Sequence, residues 1–348
     1  MKVSILNLVP LRQGDTQRDA IENMIALAQK AEDLDYERYW IAEHHNSKSI
    51  LSSATQILID QTLMATKKIR VGSGGVMLPN HSPYIVAEQY GTLATLYPNR
   101  VDLGLGRAPG TDMRTAQALR RTETTAHFPE EVQELAGYFD DTNSVHAYPA
   151  AGVKVPIYIL GSSTDSAHLA ARLGLPYAFA SHFAPDMLID AVKIYRDEFK
   201  PSKELENPYV IVGANAYLAD TNEEAERLST TQTQALAGLV SNNFLPLQPP
   251  VDNDDQVWDK IREVDNKDVP NFGPVRFNAD AIIHKKRQIA ENMAKVTFIG
   301  DKASVKEQIE YLQKYVQFDE LMVNSYIYDI KAQYYSYKLL KEVVDAIN

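Results

Sequence analysis

Three stretches of this 348-residue chain carry apolar runs into residue types that do chemistry: YWIAEHH over 39–45, VGSGGVMLPNHSPY over 71–84 and VDLGLGRAPGTD over 101–112. Each is a β-like run breaking into a polar loop, and their similar spacing predicts loops that converge at one end of a sheet. Gly72, Gly74 and Gly75 leave backbone with no side chain in front, a surface on which a flat ring can lie. Arg107 follows the run 101–105 and offers a planar guanidinium fork suited to a phosphate dianion. Further on, PIYILGSSTDS sets Gly161, Ser162, Ser163, Thr164 and Ser166 between a strand and a helix N-terminus. Free N–H groups and hydroxyls there favour an anion. A phosphorylated planar ligand joins these parts.

His44 and His45 adjoin at a strand end, where alternation sends at most one of them into the mouth. Glu43 and His45 alone are too few to hold a metal, and none is expected. The run Gly104-Leu-Gly106-Arg-Ala-Pro-Gly110 imitates a dinucleotide fingerprint. It lacks the third glycine at the right offset, is interrupted by Pro109, and has no acidic residue about 20 positions on, which argues against a Rossmann site.

The elements that must position these residues are legible from periodicity. Ile21, Met24, Ala28, Ala31 and Leu34 form one apolar stripe on a helix over 16–34. Strands follow at 39–42, 69–72, 101–105, 157–160, 177–180, 209–218 and 321–324. They alternate with helices at 52–66, 83–97, 128–139, 164–173, 185–199, 221–239 and 329–346. Counting from the N-terminal run, eight βα units predict a parallel (β/α)8 barrel, a TIM barrel, as one domain over 1–348. Two segments break the rhythm: 107–127, and 241–295 with Pro246, Pro249, Pro250, Pro270, Pro274 and the acidic run DNDD at 252–255. The second is an insertion before the last strand and a candidate lid. Gly91, Ala87 and Ala94 make a smooth helix face, open either to packing on the barrel or to a helix–helix dimer contact.

Composition narrows the classes. Thirty-five basic against 46 acidic residues give a net charge of −11, which disfavours capture of nucleic acid. No cysteine is present, which removes disulfides, thiolate metal sites and a cysteine nucleophile. The N-terminal run 3–9 is too short for a signal segment, and no apolar stretch approaches the roughly 20 residues that cross a bilayer. The expectation is a soluble cytoplasmic protein without membrane or nucleic-acid partners.

AEHHN, GSGGVMLPNHSPYIVAEQYGTLATLYPNR and GLGRAPGTD in combination, with FIGDKASVKEQIEYL and FDELMVNS near the C-terminus, resemble the bacterial luciferase-like flavin monooxygenases, in particular a subgroup carrying GRAPGTD after the fourth strand. The resemblance implies a closed barrel that binds reduced FMN from a separate flavin reductase and activates O2 as a C4a-peroxyflavin to oxidise a small organic substrate. It implies that Arg107, Gly161, Ser162, Ser163 and Ser166 hold the phosphate, and that Gly74–Gly75 forms a bulge behind the ring, often with a non-prolyl cis peptide. By the same resemblance His44 handles a proton, Ser181 and His182 match positions near the ring edge, and the protein is a homodimer through the helix bearing Gly91. Gly106 replaces the cysteine that luciferases carry before this arginine. The rival readings are a deazaflavin (F420)-dependent hydride-transfer oxidoreductase and a non-catalytic flavin-binding protein.

Overall fold

Short parallel strands alternate with helices from the N-terminus onward in the computed structural model, which describes residues 1–119, 127–267 and 279–347. The strands are β1 (Lys2–Asn7), β2 (Arg38–Ile41), β3 (Arg70–Met77), β4 (Val101–Gly106), β5 (Ile157–Gly161), β6 (Tyr177–Phe179), β7 (Val210–Leu218), β8 (Thr297–Gly300) and β9 (Glu320–Asn324). Between and after them run α1 (Gln17–Asp33), α2 (Thr55–Ala65), α3 (Pro83–Leu96), α4 (Met113–Ala118), α5 (Phe128–Phe139) and α6 (Thr164–Leu173). The remaining helices are α7 (Leu188–Glu198), α8 (Asn222–Val240), α9 (Asp254–Lys267), α10 (Ala279–Met293), α11 (Lys302–Tyr315) and α12 (Ile330–Ile347).

Strands β1 to β7 pair in sequence, β7 pairs with β9, and β9 returns to β1, all parallel, so eight strands close the barrel. The sequence reading counted eight strands and missed a ninth. The reason is that β7 is nine residues long: Ile211–Asn215 lies beside β9, whereas its last residues leave the ring and pair with β8. Four residues outside the closed ring carry too little pattern to be seen.

Local chemistry sets the helix ends. Thr16 and Asp19 form a reciprocal capping box that starts α1, and Ala20, Met24, Leu27, Ala28 and Ala31 bury its inner face. Pro83 opens α3 at its first turn, where its missing N–H costs nothing. The smooth face of α3 packs within the chain. A Cβ on Gly91 would lie 2.4 Å from the Cα of Ala150, and Ala87 and Ala94 are buried. That face is therefore occupied, and the reading of it as a dimer contact is corrected.

Period-two alternation divides each strand. Val3, Ile5, Tyr39, Ile41, Val71, Leu103 and Ile159 face the helices in the main core. Leu6, Leu8, Trp40, Ala42, Tyr158, Ala178, Ile211 and Met322 form a second cluster from the alternate set. Below it lies a fully hydrogen-bonded ionic layer that the sequence reading did not anticipate. Arg38 donates from Nε to Glu320 at 2.8 Å and from Nη1 to Asp102 and the Tyr158 hydroxyl, both at 2.8 Å. Arg70 Nε reaches Asp102 at 2.9 Å, and Tyr209 donates to Glu320 at 2.6 Å. Among the described residues no helix is long and apolar enough to cross a membrane.

Candidate active site

At the C-terminal ends of the strands the residues facing the barrel axis become small: Ala42, Gly74, Gly106, Ala178, Ala180 and Gly213 all line one cavity. Their size leaves a volume of about 1640 Å³, floored by Leu6 and Trp40. Single-ligand pockets usually occupy about 300–1,000 Å³, so there is room for a tricyclic ring system and a further small molecule.

Gly74 and Gly75 are joined by a cis peptide at a register shift between Ser73 and Val76, the bulge expected from the resemblance. Their glycine identity has a packing cause. A Cβ on Gly74 would lie 2.7 Å from Leu6 Cδ1, and one on Gly75 would lie 2.6 Å from the Gly104 carbonyl. Both glycines line the cavity through backbone; Gly72 does not, because its Cα is pressed against Asp102 on the neighbouring strand.

The residues expected to bind an anion meet on the same cavity. Arg107, Gly161, Ser162, Ser163 and Ser166 all line it. Ser163 is the N-cap of α6 but makes no side-chain capping bond, so the first-turn N–H groups of that helix have no hydroxyl cap. Ser166 is placed differently from the reading above: its hydroxyl donates to the Ser163 carbonyl at 2.7 Å and meets the Tyr177 hydroxyl at 2.9 Å. It braces the loop rather than offering a free donor. Arg107 lies 3.5 Å from Asp165, not beside Asp112, which caps α4 and accepts from Asn46. The Arg107–Asp165 pair is solvent-exposed and hence weak.

Both His44 and His45 line the cavity, although alternation predicted one. Strand β2 ends at Ile41, and the backbone beyond it is no longer extended in a sheet. His44 follows Trp40 and Ala42 on the inward register. Burial holds its imidazole below the ordinary value, against opposing effects of the Gly110 carbonyl and Glu43. Ser181 is a correction: it is fully buried, donates to the Gly213 carbonyl at 2.6 Å and does not line the cavity. Its neighbour His182 does. Burial, with repulsion from His44, pushes His182 down to about 4, so both imidazoles are neutral near pH 7.

Glu43 is 1% exposed and accepts from the Nε2 atoms of His45 and His81, each at 2.9 Å, and from Met77 N at 3.1 Å. Burial alone would raise its carboxyl. The His45 and His81 bonds, the His81 charge and the Met77 amide outweigh it and hold it at about 2. A depressed acid stabilises the fold fully above its ordinary value of 4.5 and loses that contribution as pH falls through about 2. The size is roughly 3 kcal/mol. Urea unfolding across this window should show the loss in the native protein, and Glu43→Gln should remove it; an unaltered acid limb in the variant would contradict the assignment. Among the described residues no group of three or more His, Asp or Glu side chains is arranged to hold a metal ion.

The model of the luciferase-like monooxygenase family matches residues 1–316. The chain belongs to that family. A protein named luciferase-like monooxygenase from Escherichia coli strain K12 is 43% identical over 349 residues, covering 99% of this chain and 97% of the relative. A Bacillus subtilis protein named N-acetyl-S-alkylcysteine monooxygenase is 36% identical over 238 residues, 65% of this chain and 70% of its own length. Among solved structures, apo-MsnO8 superposes with a TM-score of 0.82 at 31% identity over 99% of this chain and 98% of that one. Two more distant likenesses show the fold alone. The oxygenating constituent of 3,6-diketocamphane monooxygenase from Pseudomonas putida, in complex with FMN, has a TM-score of 0.66 at 17% identity, covering 98% of this chain and 97% of that one. An F420-dependent secondary alcohol dehydrogenase has a TM-score of 0.65 at 15%, covering 100% and 99%. This luciferase-like monooxygenase is thus an oxygenating enzyme by family, built on a closed eight-stranded parallel barrel.

Residues 241–262 and 281–295 of the second excursion are described with their side chains, and they form a wall. Val257 and Trp258 of α9 pack with Ala237, Ile283 and Ala290, while Val257, Lys260, Ile261 and Met293 line the cavity. Leu247 is tied back by backbone bonds with Leu11 and Gln13. Pro270 and Pro274, and positions 120–126 of the first excursion, lie outside the described residues. The sequence reading also missed Gln232 of α8, which is buried, lines the cavity and donates to Thr297 at 3.3 Å.

Proposed function

We propose that this protein is an FMN-dependent, two-component monooxygenase that oxygenates a small organic substrate in the barrel mouth. The observation that supports this reading most is the convergence, on one cavity, of Arg107, the uncapped α6 N-terminus with Ser162 and Ser163, the Gly74–Gly75 backbone and His44. These residue types fit the flavin mononucleotide. A cation and helix N–H groups suit a terminal phosphate, and a side-chain-free peptide suits a ring face. Reduced flavin, when bound, supplies the electrons that dioxygen needs. The chain itself binds the tail through Arg107 and the loop 161–163, orients the ring against Gly74–Gly75, and holds a neutral imidazole at His44 for proton transfer. The apolar side chains of β1, β2 and α9 exclude water from the oxygenating space, with the described parts of the second excursion, 241–262 and 281–295, as its cover.

In this reading a separate flavin reductase supplies reduced FMN in the cytoplasm. The homodimer is proposed through another face than the one bearing Gly91: Ile57 and Met64 of α2 with Ile85 and Leu96 of α3 leave an exposed apolar stripe. A purely monomeric mass by sedimentation equilibrium would end that part.

Anaerobic titration with reduced FMN, then with reduced deazaflavin, tests the cofactor. Saturable FMN binding, weakened about 100-fold by Arg107→Met, is expected. Preference for the deazaflavin, or binding indifferent to Arg107, would overturn the proposal. Admission of air should reoxidise the bound FMN at a rate set by the protein; reoxidation at the rate of free reduced FMN would favour a storage protein.

A further inference from the structure

The proposed chemistry divides into two grips on separate loops, with His44 after β2 and Arg107 after β4, and something must hold them in register. The structure assigns this to Glu43, a positioning residue whose carboxylate is the hub joining the loops 43–46, 77–81 and 107–112. The inference rests on the flavin reading above and adds to it how the proton-handling side chain and the phosphate-gripping side chain are kept at a set separation.

Glu43 joins the first loop to the second through His81 Nε2 and Met77 N, and holds its own loop through His45 Nε2. Asn80 Nδ2 approaches Glu43 Oε1 at 3.4 Å and donates to the Pro109 carbonyl at 2.9 Å, which carries the link to the third loop two residues from Arg107. The first and third loops also touch directly. His45 N donates to the Gly110 carbonyl at 3.2 Å, and Thr111 Oγ1 donates to the His45 carbonyl at 3.2 Å. Gly110 has a φ of 62°, and a Cβ there would lie 2.8 Å from the Glu43 carbonyl, so the loops meet as closely as backbone allows. A side chain 1% exposed with four donors around it is over-determined; it cannot shift without breaking bonds in the first two loops, and Asn80 passes any shift on to the third through Pro109. The titratable groups facing it are His45 and His81, and those around His44 are Glu43, His45 and His182.

Three variants of the full chain separate positioning from simple support. Glu43→Gln keeps the shape and an acceptor but loses the charge; Glu43→Ala loses both; Asn80→Ala removes the bridge from Glu43 to Pro109 and leaves the His45, His81 and Met77 bonds to Glu43. Reduced FMN affinity and the pH profile of flavin reoxidation in air are the readouts, with urea unfolding as the stability control. Asn80→Ala is expected to weaken reduced FMN binding about tenfold and leave the reoxidation profile in place. Glu43→Gln is expected to weaken binding and also displace the pH midpoint, with Glu43→Ala larger in both. If Glu43→Ala does not fold, the Gln variant and Asn80→Ala carry the test. Variants that lose stability while retaining native affinity and an unmoved profile would overturn the positioning role. A native protein that fails to bind reduced FMN would instead overturn the flavin reading.

Discussion

Replacing His44 by alanine is expected to lower substrate oxygenation by about 10²–10⁴-fold while leaving reduced FMN affinity within a few-fold of native. The separation follows from position. His44 lies in the loop just beyond β2 and lines the cavity, whereas Arg107 and the α6 N-terminus are the parts proposed to grip the anion. Burial keeps the imidazole neutral near pH 7, so it can accept a proton and return it, and loss of the ring leaves no equivalent group at that atom. His182 is nearby, but it is held down to about 4 by burial and by His44, and does not substitute for it. Reduced FMN consumed in air without oxygenated product, read as peroxide released per flavin oxidised, is the expected signature. His44→Gln should restore little, because an amide hydrogen-bonds but does not titrate. A turnover number and coupling ratio equal to those of the native enzyme would remove His44 from the proton path.

The loop that carries His44 and His45 shows how much of the site was legible beforehand. Helices α5 and α6 were read to the residue, since Pro129 and the serine-rich approach to Thr164 mark their starts. Convergence of the three glycine- and histidine-bearing loops followed from eight parallel units. The errors have definite causes. Ser181 and His182 are both expected near the ring edge, but only His182 lines the cavity, because the Ser181 hydroxyl turns away to the Gly213 carbonyl. The period-two signal points Arg38, Asp102 and Glu320 inward, where a charge inside an apolar strand marks a buried network. Other features leave no trace along the chain. Ser166 and Ser163 bond within one turn, Asp165 meets Arg107 across two loops, and Gly91 meets Ala150 through a contact set only by tertiary packing.

A large stability effect is expected from that buried network. Asp102→Ala is expected to cost about 3–5 kcal/mol, a large share of the 5–15 kcal/mol that typically separates folded from unfolded domains. Asp102 is fully buried and accepts from Arg38 at 2.8 Å, Arg70 at 2.9 Å and the Trp40 indole at 3.1 Å. Removing it strands donors on three side chains and leaves Arg38, stacked over Tyr158 at 5.2 Å, with Glu320 as its remaining close carboxylate inside the barrel. Burial works against the Arg38 charge, and Glu320 and Asp102 together hold its guanidinium well above the ordinary range; with one gone, the desolvation is no longer offset. Asp102→Asn, which retains an acceptor for the indole, should fall between. The layer lies at the N-terminal ends of the strands, below Trp40 and the cavity, so variants that remain folded should bind reduced FMN normally. Urea denaturation read alongside FMN titration checks both halves. A midpoint within error of native would mean that the ionic layer adds nothing to the closed ring, and weakened flavin binding in folded protein would mean that floor and mouth are coupled through Trp40.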